Sequence, residues 1–479
     1  MEILFDISNI LLINDEATRK ICKFNSHIVL MLRKLNRILV YFTFLLMSFP
    51  LVGIAQGFDL PEGQKYQKVR FELINNLIII PMEVNGTELS FILDSGVSKP
   101  ILFNLSDQDS VQIKDVSEIT IRGLGDGEPI KALSSKGNTF ALKNVQNRDQ
   151  LLYVVLDKDL NFSPSLGITV HGIIGYDLFR DFVVDINYAS KVIKFHDPAS
   201  YVYKKDKRSE TLPLSVAAKK AYVDGSIFLK DAEDLPVRLL LDTGSSDAVW
   251  LFENDEIGIP DKNYDDFLGK GLSGDIFGKR TKINSIKLGS FSLKDAKAAF
   301  PERKSFGAIR YLGDRNGSIG GEVLKRFNIV FDYTNNKFTL RKNKNFKMPF
   351  HYNMSGIELQ HDGVRYVSES IANSNGVVQS NKKSFGDVQI LLENRTRLSL
   401  VPEIVVSGIR AGSPAEIAGL KEGDVVLSVN GKSVHRYKLQ EILQMLNEKE
   451  GKRIRVRIAR QDKDLLYTFV LKDLFKEKP

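Results

Sequence analysis

Residues 91–98 read Phe-Ile-Leu-Asp-Ser-Gly-Val-Ser, and residues 239–246 read Leu-Leu-Leu-Asp-Thr-Gly-Ser-Ser, which places acidic residues at Asp94 and Asp242. In both stretches an apolar run ends in Asp, a small hydroxyl residue and Gly. The apolar run predicts a buried strand, and the glycine permits a tight turn that a side chain would block. Average residue frequencies give one such triplet about 0.2 times in a chain of this length. Two copies, each at the end of an apolar run, therefore indicate a matched pair of carboxylates.

A second pair of matched segments shows that the chain contains an internal duplication. Residues 172–188, which include Gly-Ile-Ile-Gly, are answered by residues 317–333, which include Gly-Ser-Ile-Gly. The two elements recur in the same order, and short alternating runs of apolar and polar residues around them predict strands and hairpins. We place one copy at 66–200 and the other at 209–345, called repeat one and repeat two below.

The paired Asp-(Ser/Thr)-Gly turns, together with Ile173-Ile174-Gly175 and Ser318-Ile319-Gly320, resemble the aspartic peptidases. The closer resemblance is to the retropepsin-like branch that occurs duplicated in bacterial proteins with a PDZ tail. This resemblance implies a mainly β fold, in which two retropepsin-like β-barrel lobes form a pepsin-like bilobal arrangement. It covers about residues 66–345. Val97 departs from the family's usual Ala, Ser or Thr, and Ser318 departs from its usual apolar residue.

The resemblance also implies roles for the residues of the two turns. Asp94 and Asp242 would be the catalytic dyad and share one proton. The dyad-supporting turn residues would be Ser95, Gly96, Thr243, Gly244 and Ser245. Protein or peptide substrates would lie in the cleft between the lobes, beneath glycine-rich hairpins at 121–127 and 269–274. This chemistry uses no cofactor and no metal, and the six histidines show no metal-ligand spacing.

The C-terminal part of the chain has a different pattern from about residue 347. Residues 405–431 read as strand, turn, short helix, glycine stop, strand and Asn-Gly hairpin, which resembles a PDZ domain, an α+β fold. We place this domain at 347–475, with an insertion near 362–402. Since PDZ domains hold a peptide C-terminus on backbone amides, the expected peptide-binding residues are Ser355, Gly356 and Ile357. A purely structural or dimerising role for the domain stays open.

The N-terminal region predicts export. Residues 31–55 have a basic start, an apolar run and small residues at Gly53 and Ala55, as in a signal peptide. Residues 1–30 form an unusual prelude, so that Met31 is a candidate start. We expect a periplasmic or extracellular protein. If the segment is not cleaved, it would instead be an N-terminal membrane anchor.

The overall composition is that of an ordinary globular protein. Charged residues make up 26% of the chain, and Lys and Arg are scattered at a formal net charge of +8, so nucleic acid is not an expected partner. The sequence thus predicts an aspartic endopeptidase whose PDZ domain binds substrate or a regulatory peptide. The alternatives are a catalytically inactive peptide-binding protein and a scaffold of the cell envelope.

Overall fold

The computed structural model describes residues 57–105, 111–157, 160–203, 206–229, 234–306, 313–373 and 393–475. The predicted prelude and signal peptide therefore lie outside the described residues. Of the helices in the described ranges, none has the length and apolar character that a membrane span needs. The expected mainly β fold is confirmed.

Repeat one is built almost wholly from strands, because its apolar and polar residues alternate with a period of two. In the strand Tyr66–Arg70, for example, exposed and buried residues alternate from end to end. The strands are β1 (Tyr66–Arg70), β2 (Glu72–Ile74), β3 (Leu77–Val84), β4 (Thr87–Leu93), β5 (Ile101–Leu102), β6 (Val116–Ile121), β7 (Ile130–Leu142), β8 (Val145–Val155), β9 (Gly172–Ile174), β10 (Val183–Asn187) and β11 (Val192–His196). Two short helices, α1 (Ser163–Leu166) and α2 (Tyr176–Asp181), lie before and after β9.

Repeat two contains the same elements in the same order. Its strands are β12 (Ser209–Pro213), β13 (Ser215–Ala217), β14 (Lys220–Phe228), β15 (Leu235–Leu241), β16 (Val249–Leu251), β17 (Asn263–Gly271), β18 (Gly274–Leu288), β19 (Phe291–Pro301), β20 (Gly317–Ile319), β21 (Phe327–Asp332) and β22 (Lys337–Lys342). A 3₁₀ turn (Arg303–Phe306) precedes β20, and helix α3 (Gly321–Leu324) follows it.

Each repeat forms an eight-stranded sheet, and the two sheets correspond strand for strand. The orders are β2-β3-β4-β9-β5-β8-β7-β6 in repeat one and β13-β14-β15-β20-β16-β19-β18-β17 in repeat two. A third sheet, β1-β11-β10-β21-β22-β12, takes strands from both repeats. At its centre Asp185 pairs with Val330, its own equivalent in the duplication, so a local twofold axis passes between them. One continuous cluster of buried apolar side chains, from Phe58 to Leu340, runs through both repeats.

The C-terminal domain has a separate core and its own sheet. Its elements are β23 (Ile357–Asn373), β24 (Glu393–Ile409), α4 (Pro414–Ile417), β25 (Val425–Val429), β26 (Lys432–Ser433), a 3₁₀ turn (Val434–Arg436), α5 (Leu439–Leu446), β27 (Arg453–Arg460) and β28 (Lys463–Val470). The described part of the predicted insertion, 362–373 and 393–402, continues β23 and β24 as a long two-stranded ribbon. The domain contacts both repeats: Gln440 Nε2 donates to Leu166 O at 2.6 Å, and the Phe475 ring lies 5.7 Å from that of Tyr264.

Candidate active site

Two equivalent strands deliver Asp94 and Asp242 to the same place. Strand β4 ends at Leu93 and β15 ends at Leu241, and both terminal leucines are fully buried. The strands pair in parallel with β9 and β20, so that Asp94 N donates to Ile174 O at 2.8 Å and Asp242 N donates to Ile319 O at 2.9 Å. Ile174 and Ile319, which precede the last glycine of each second motif, therefore hold the start of the two turns through their carbonyl groups.

The hydroxyl residues of the two turns hydrogen-bond to each other's backbone across the twofold axis. Ser95 N donates to Thr243 Oγ1 at 3.0 Å, and Thr243 N donates to Ser95 Oγ at 3.1 Å. In turn, Ser95 Oγ donates to Leu241 O at 2.6 Å and Thr243 Oγ1 donates to Leu93 O at 2.7 Å. Both side chains are fully buried. This reciprocal set fixes one turn against the other and hence one carboxyl group against the other.

The two carboxyl groups lie close together, and both residues are half-buried. Gly96 N donates to Asp94 Oδ1 at 2.6 Å, and Gly244 N donates to Asp242 Oδ1 at 3.0 Å. Burial, and then the charge of Asp242, raises the pKa of Asp94 to about 7. Burial also raises the pKa of Asp242, but the charges of Arg315 and Lys220 oppose that rise. Two coupled carboxyl groups that together hold one proton follow.

Val97 of repeat one and Ser245 of repeat two are equivalent residues of the two turns. Val97 Cγ1 packs against Gly175, and Ser245 Oγ lies beside Gly320, so both residues contact the second motif. Among the described hydrogen bonds, the one that Asp242 accepts from the protein backbone comes from Gly244. The two carboxyl groups differ in their charged surroundings: the charge of Arg315 acts on Asp242, whereas that of Lys220 acts on both, and sequence reasoning missed these two cations.

A buried ion network supports the turn of repeat two. Asp247 Oδ2 accepts from Trp250 Nε1 at 2.8 Å, and its Oδ1 lies 2.7 Å from Arg280 Nη1 and 3.6 Å from Lys297 Nζ. Burial alone would raise the pKa of Asp247, but the charges of Arg280 and Lys297 and the hydrogen bonds hold it at about 2. Lys297 also pairs with Glu322 of α3 at 2.6 Å. The network thus joins the segment that follows the Asp242 turn to helix α3.

We expect Asp247→Asn to lower the free energy of unfolding at pH 7 by about 3 kcal/mol, because buried cations lose a charged partner. Because the folded-state pKa lies below the unfolded value, the stabilisation is present above about pH 4 and fades as the pH falls through about 2. Urea unfolding at pH 7 and pH 3 measures both effects. The matched control is Asp265→Asn, since its carboxylate is 85% exposed and pairs with Lys279 at the surface; its effect should stay below about 1 kcal/mol. Equal losses in the two variants would contradict the network's role.

The two glycine-rich hairpins meet tip to tip. Gly123 N donates to Ser273 Oγ at 3.0 Å, Gly127 N donates to Ser273 O at 2.7 Å, and Ser273 N donates to Leu124 O at 2.9 Å. Glycine is required at Gly125, where φ is +124° and a Cβ would lie 2.5 Å from the Ser273 carbonyl. The tips of the 121–127 and 269–274 segments are therefore joined by hydrogen bonds in this structure.

In the PDZ domain, the backbone N–H groups that were predicted to bind a peptide C-terminus donate hydrogen bonds to the protein's own side chains. Ser355 N donates to Asn447 Oδ1 at 3.2 Å, Gly356 N donates to Asn353 Oδ1 at 2.9 Å, and Ile357 N donates to Ser355 Oγ at 3.2 Å. Asn353 Nδ2 also donates to Ile357 O at 3.0 Å. The Asn353 amide thus makes both kinds of backbone hydrogen bond that the end of an added peptide strand would make.

The mainly β fold and the paired turns resemble those of the aspartic proteases. Comparison with protein families agrees: residues 80–178 match the family model described as aspartyl protease, and residues 405–460 match that of the PDZ domain. The first match includes Asp94 and the second motif of repeat one. The chain therefore carries an aspartyl protease domain and a C-terminal PDZ domain, and the resemblance seen in the sequence is confirmed. In the part of the chain that the structure describes, no group of His, Cys, Asp or Glu side chains could hold a metal ion.

Proposed function

We propose that the protein is an aspartic endopeptidase that hydrolyses peptide bonds with a water activated by Asp94 and Asp242. The observation that carries the proposal is the pair of adjacent carboxyl groups on equivalent turns, each held by a backbone N–H group of its own turn. Burial raises the pKa of both carboxyl groups, so they can share one proton. Neither a peptide-binding protein nor a scaffold needs this pair. Substrate would lie against the dyad beneath the joined hairpins, which would have to separate for a peptide to enter.

The reaction would follow from the two protonation states. Asp242 would be the base, because the charge of Arg315 favours its ionised form. It takes a proton from the water as the water oxygen bonds to the carbonyl carbon, while Asp94 gives its proton to the carbonyl oxygen. The tetrahedral intermediate then collapses: Asp242 gives its proton to the amide nitrogen, Asp94 takes a proton from one hydroxyl of the intermediate as the carbonyl group re-forms, and the carbon–nitrogen bond breaks. Two peptides leave, and the dyad again holds one proton.

The PDZ domain would recruit substrate or bind a regulatory peptide. Capture of a peptide C-terminus on Ser355, Gly356 and Ile357 would require Asn447, Asn353 and the Ser355 hydroxyl to release those three N–H groups. The proposed place of action is outside the cytoplasm, in the periplasm or the extracellular medium. This part of the proposal depends on residues 31–55, which would act as a signal peptide or, if uncleaved, as a membrane anchor.

Digestion of an unbiased peptide library by the purified chain tests the proposed activity, with mass spectrometry to locate the cleaved bonds. We expect internal cleavage, and a kcat/KM that falls about tenfold per pH unit above about pH 7, because Asp94 then loses the proton that it must donate. A profile measured from pH 3 to pH 9 checks the sign. Activity that rises from pH 7 to pH 9, or a library left intact at every pH, would contradict the proposal.

A further inference from the structure

Two cations of repeat two converge on the dyad. Lys220 is the first residue of β14. Where β14 pairs with β15, Val223 lies opposite Leu239 and Tyr222 lies opposite Leu240. Extending this register by two residues places Lys220 opposite Asp242. It is half-buried and interacts with the charges of both Asp94 and Asp242. The extended strand register and the electrostatic interaction thus agree that Lys220 lies beside the dyad.

The second cation, Arg315, is held in a fixed position. Its side chain is 9% exposed, its Nε donates to Gly317 O at 2.9 Å, and its guanidinium lies 5.1 Å from the centre of the Phe252 ring. The guanidinium also interacts with the Asp242 carboxylate. Among the described residues, neither Arg315 nor Lys220 forms a salt bridge within 4 Å. The salt bridges of the described chain involve other cations, such as Arg238, Arg280 and Lys297.

The internal duplication shows that these cations belong to one side of the dyad. Because Tyr222 pairs with Leu240 as Ile79 pairs with Ile92, Lys220 is the equivalent of Leu77. Because Gly317 pairs with Leu239 as Gly172 pairs with Phe91, Arg315 is the equivalent of Val170. Both Leu77 and Val170 are buried in the apolar cluster of repeat one. The dyad therefore has an apolar wall on one side and two cations on the other.

The charges at the site do not balance. A dyad with one proton carries one negative charge, whereas Lys220 and Arg315 carry two positive charges. Uncompensated charge in a buried site is costly, and a bound anion would relieve that cost. A peptide can supply such an anion as an Asp or Glu side chain or as its terminal carboxylate. The cations lie beside the dyad, and the chain is proposed to cut internal bonds. An Asp or Glu side chain is therefore favoured over a terminal carboxylate.

We propose that Lys220 and Arg315 form a subsite for an acidic side chain, so that the enzyme prefers peptide bonds flanked by Asp or Glu on the side that meets repeat two. The residue on the other side of the bond would be apolar and would pack against the cluster that contains Leu77 and Val170. This inference rests on the proposed peptidase function and adds a class of substrate to it.

Matched peptides test the subsite. Each peptide has Leu on one side of the bond and Glu, Gln or Lys on the other, in both orders, with an amidated C-terminus. In one of the two orders, we expect kcat/KM to be at least about tenfold higher for Glu than for Gln, as for a buried charged pair, and lowest for Lys. The same Gln peptide with a free C-terminus forms a separate arm: a gain confined to that arm would show that the subsite holds a terminal carboxylate and would overturn the proposal.

The test variants replace each cation by the equivalent residue of repeat one. Lys220→Leu and Arg315→Val introduce the residues of repeat one, and together they should bring the ratio of kcat/KM for Glu over Gln close to one. The control Lys219→Asn also introduces the repeat-one residue, Asn76, at a neighbouring exposed lysine with the same positive φ, and should keep the ratio. If the double variant does not fold, Lys220→Gln alone should still lower the ratio. Cleavage with a ratio near one in the wild-type protein would overturn the subsite but not the peptidase; a set left wholly uncut would overturn both.

Discussion

Asp94→Asn and Asp242→Asn are each expected to lower peptide hydrolysis by about 10³-fold or more, because the reaction needs one ionised and one protonated carboxyl group. An amide at either position can neither accept the proton of the water nor supply a proton to the carbonyl oxygen. The loss should appear in kcat, measured with any peptide that the library identifies. Asp224→Asn, an exposed carboxylate on β14, is the matched control and should retain activity within about twofold.

The same two variants should fold at least as well as the wild-type protein. Burial raises the pKa of both carboxyl groups, so ionisation in the dyad opposes folding near neutral pH, and a neutral amide removes that cost. A thermal melt at pH 7 should therefore show an unchanged or higher midpoint for each variant. Full activity in both folded variants would contradict the dyad, whereas loss of activity through misfolding is excluded by the same melts.

The sequence indicates the two turns that meet in the structure because their determinants are local. An apolar run ending in Asp-(Ser/Thr)-Gly specifies a buried strand and a tight turn, and the duplication tells which two turns belong together. The family resemblance gave Ser95 and Thr243 a supporting role in these turns, and in the structure each residue hydrogen-bonds to the backbone of the other. The central pairing of Asp185 with Val330 was not predicted, although the duplication contains it in principle.

The features that the sequence missed depend on tertiary register. Lys220 and Arg315 stand 95 residues apart, and they approach Asp242 only through the pairing of β14, β15 and β20. When the two repeats are aligned, each of these cations falls opposite an apolar residue of repeat one, and that mismatch is the signal that could have found them. In the PDZ domain, Asn447 reaches the Ser355 N–H group from the end of α5, which no local pattern around Ser355 indicates. Local chemistry was therefore predictable, whereas the occupancy of a site by distant side chains was not.

Gly244→Ala is expected to reduce kcat by about 10²-fold or more, because its methyl group would lie 2.3 Å from Asp94 Cγ and 2.4 Å from Asp94 Oδ2. The Asp94 carboxyl group cannot easily move away from this methyl group. Its Oδ1 accepts from Gly96 N at 2.6 Å, and its backbone N donates to Ile174 O at 2.8 Å. Displacement of the carboxyl group would therefore break its own hydrogen bond and separate it from Asp242.

The duplication again provides the control, since Gly96 is the equivalent residue in repeat one. A methyl group there would lie 3.1 Å from Asp94 Oδ1 and 3.5 Å from Asp242 Cγ, which small shifts can accommodate. Gly96→Ala should therefore cost about tenfold or less in kcat. Neither glycine has a positive φ, so backbone strain does not distinguish the two variants. Equal losses would mean that the turns are symmetric about the dyad; a larger loss at Gly244 would mean that the repeat-two turn packs more closely against the Asp94 carboxyl group.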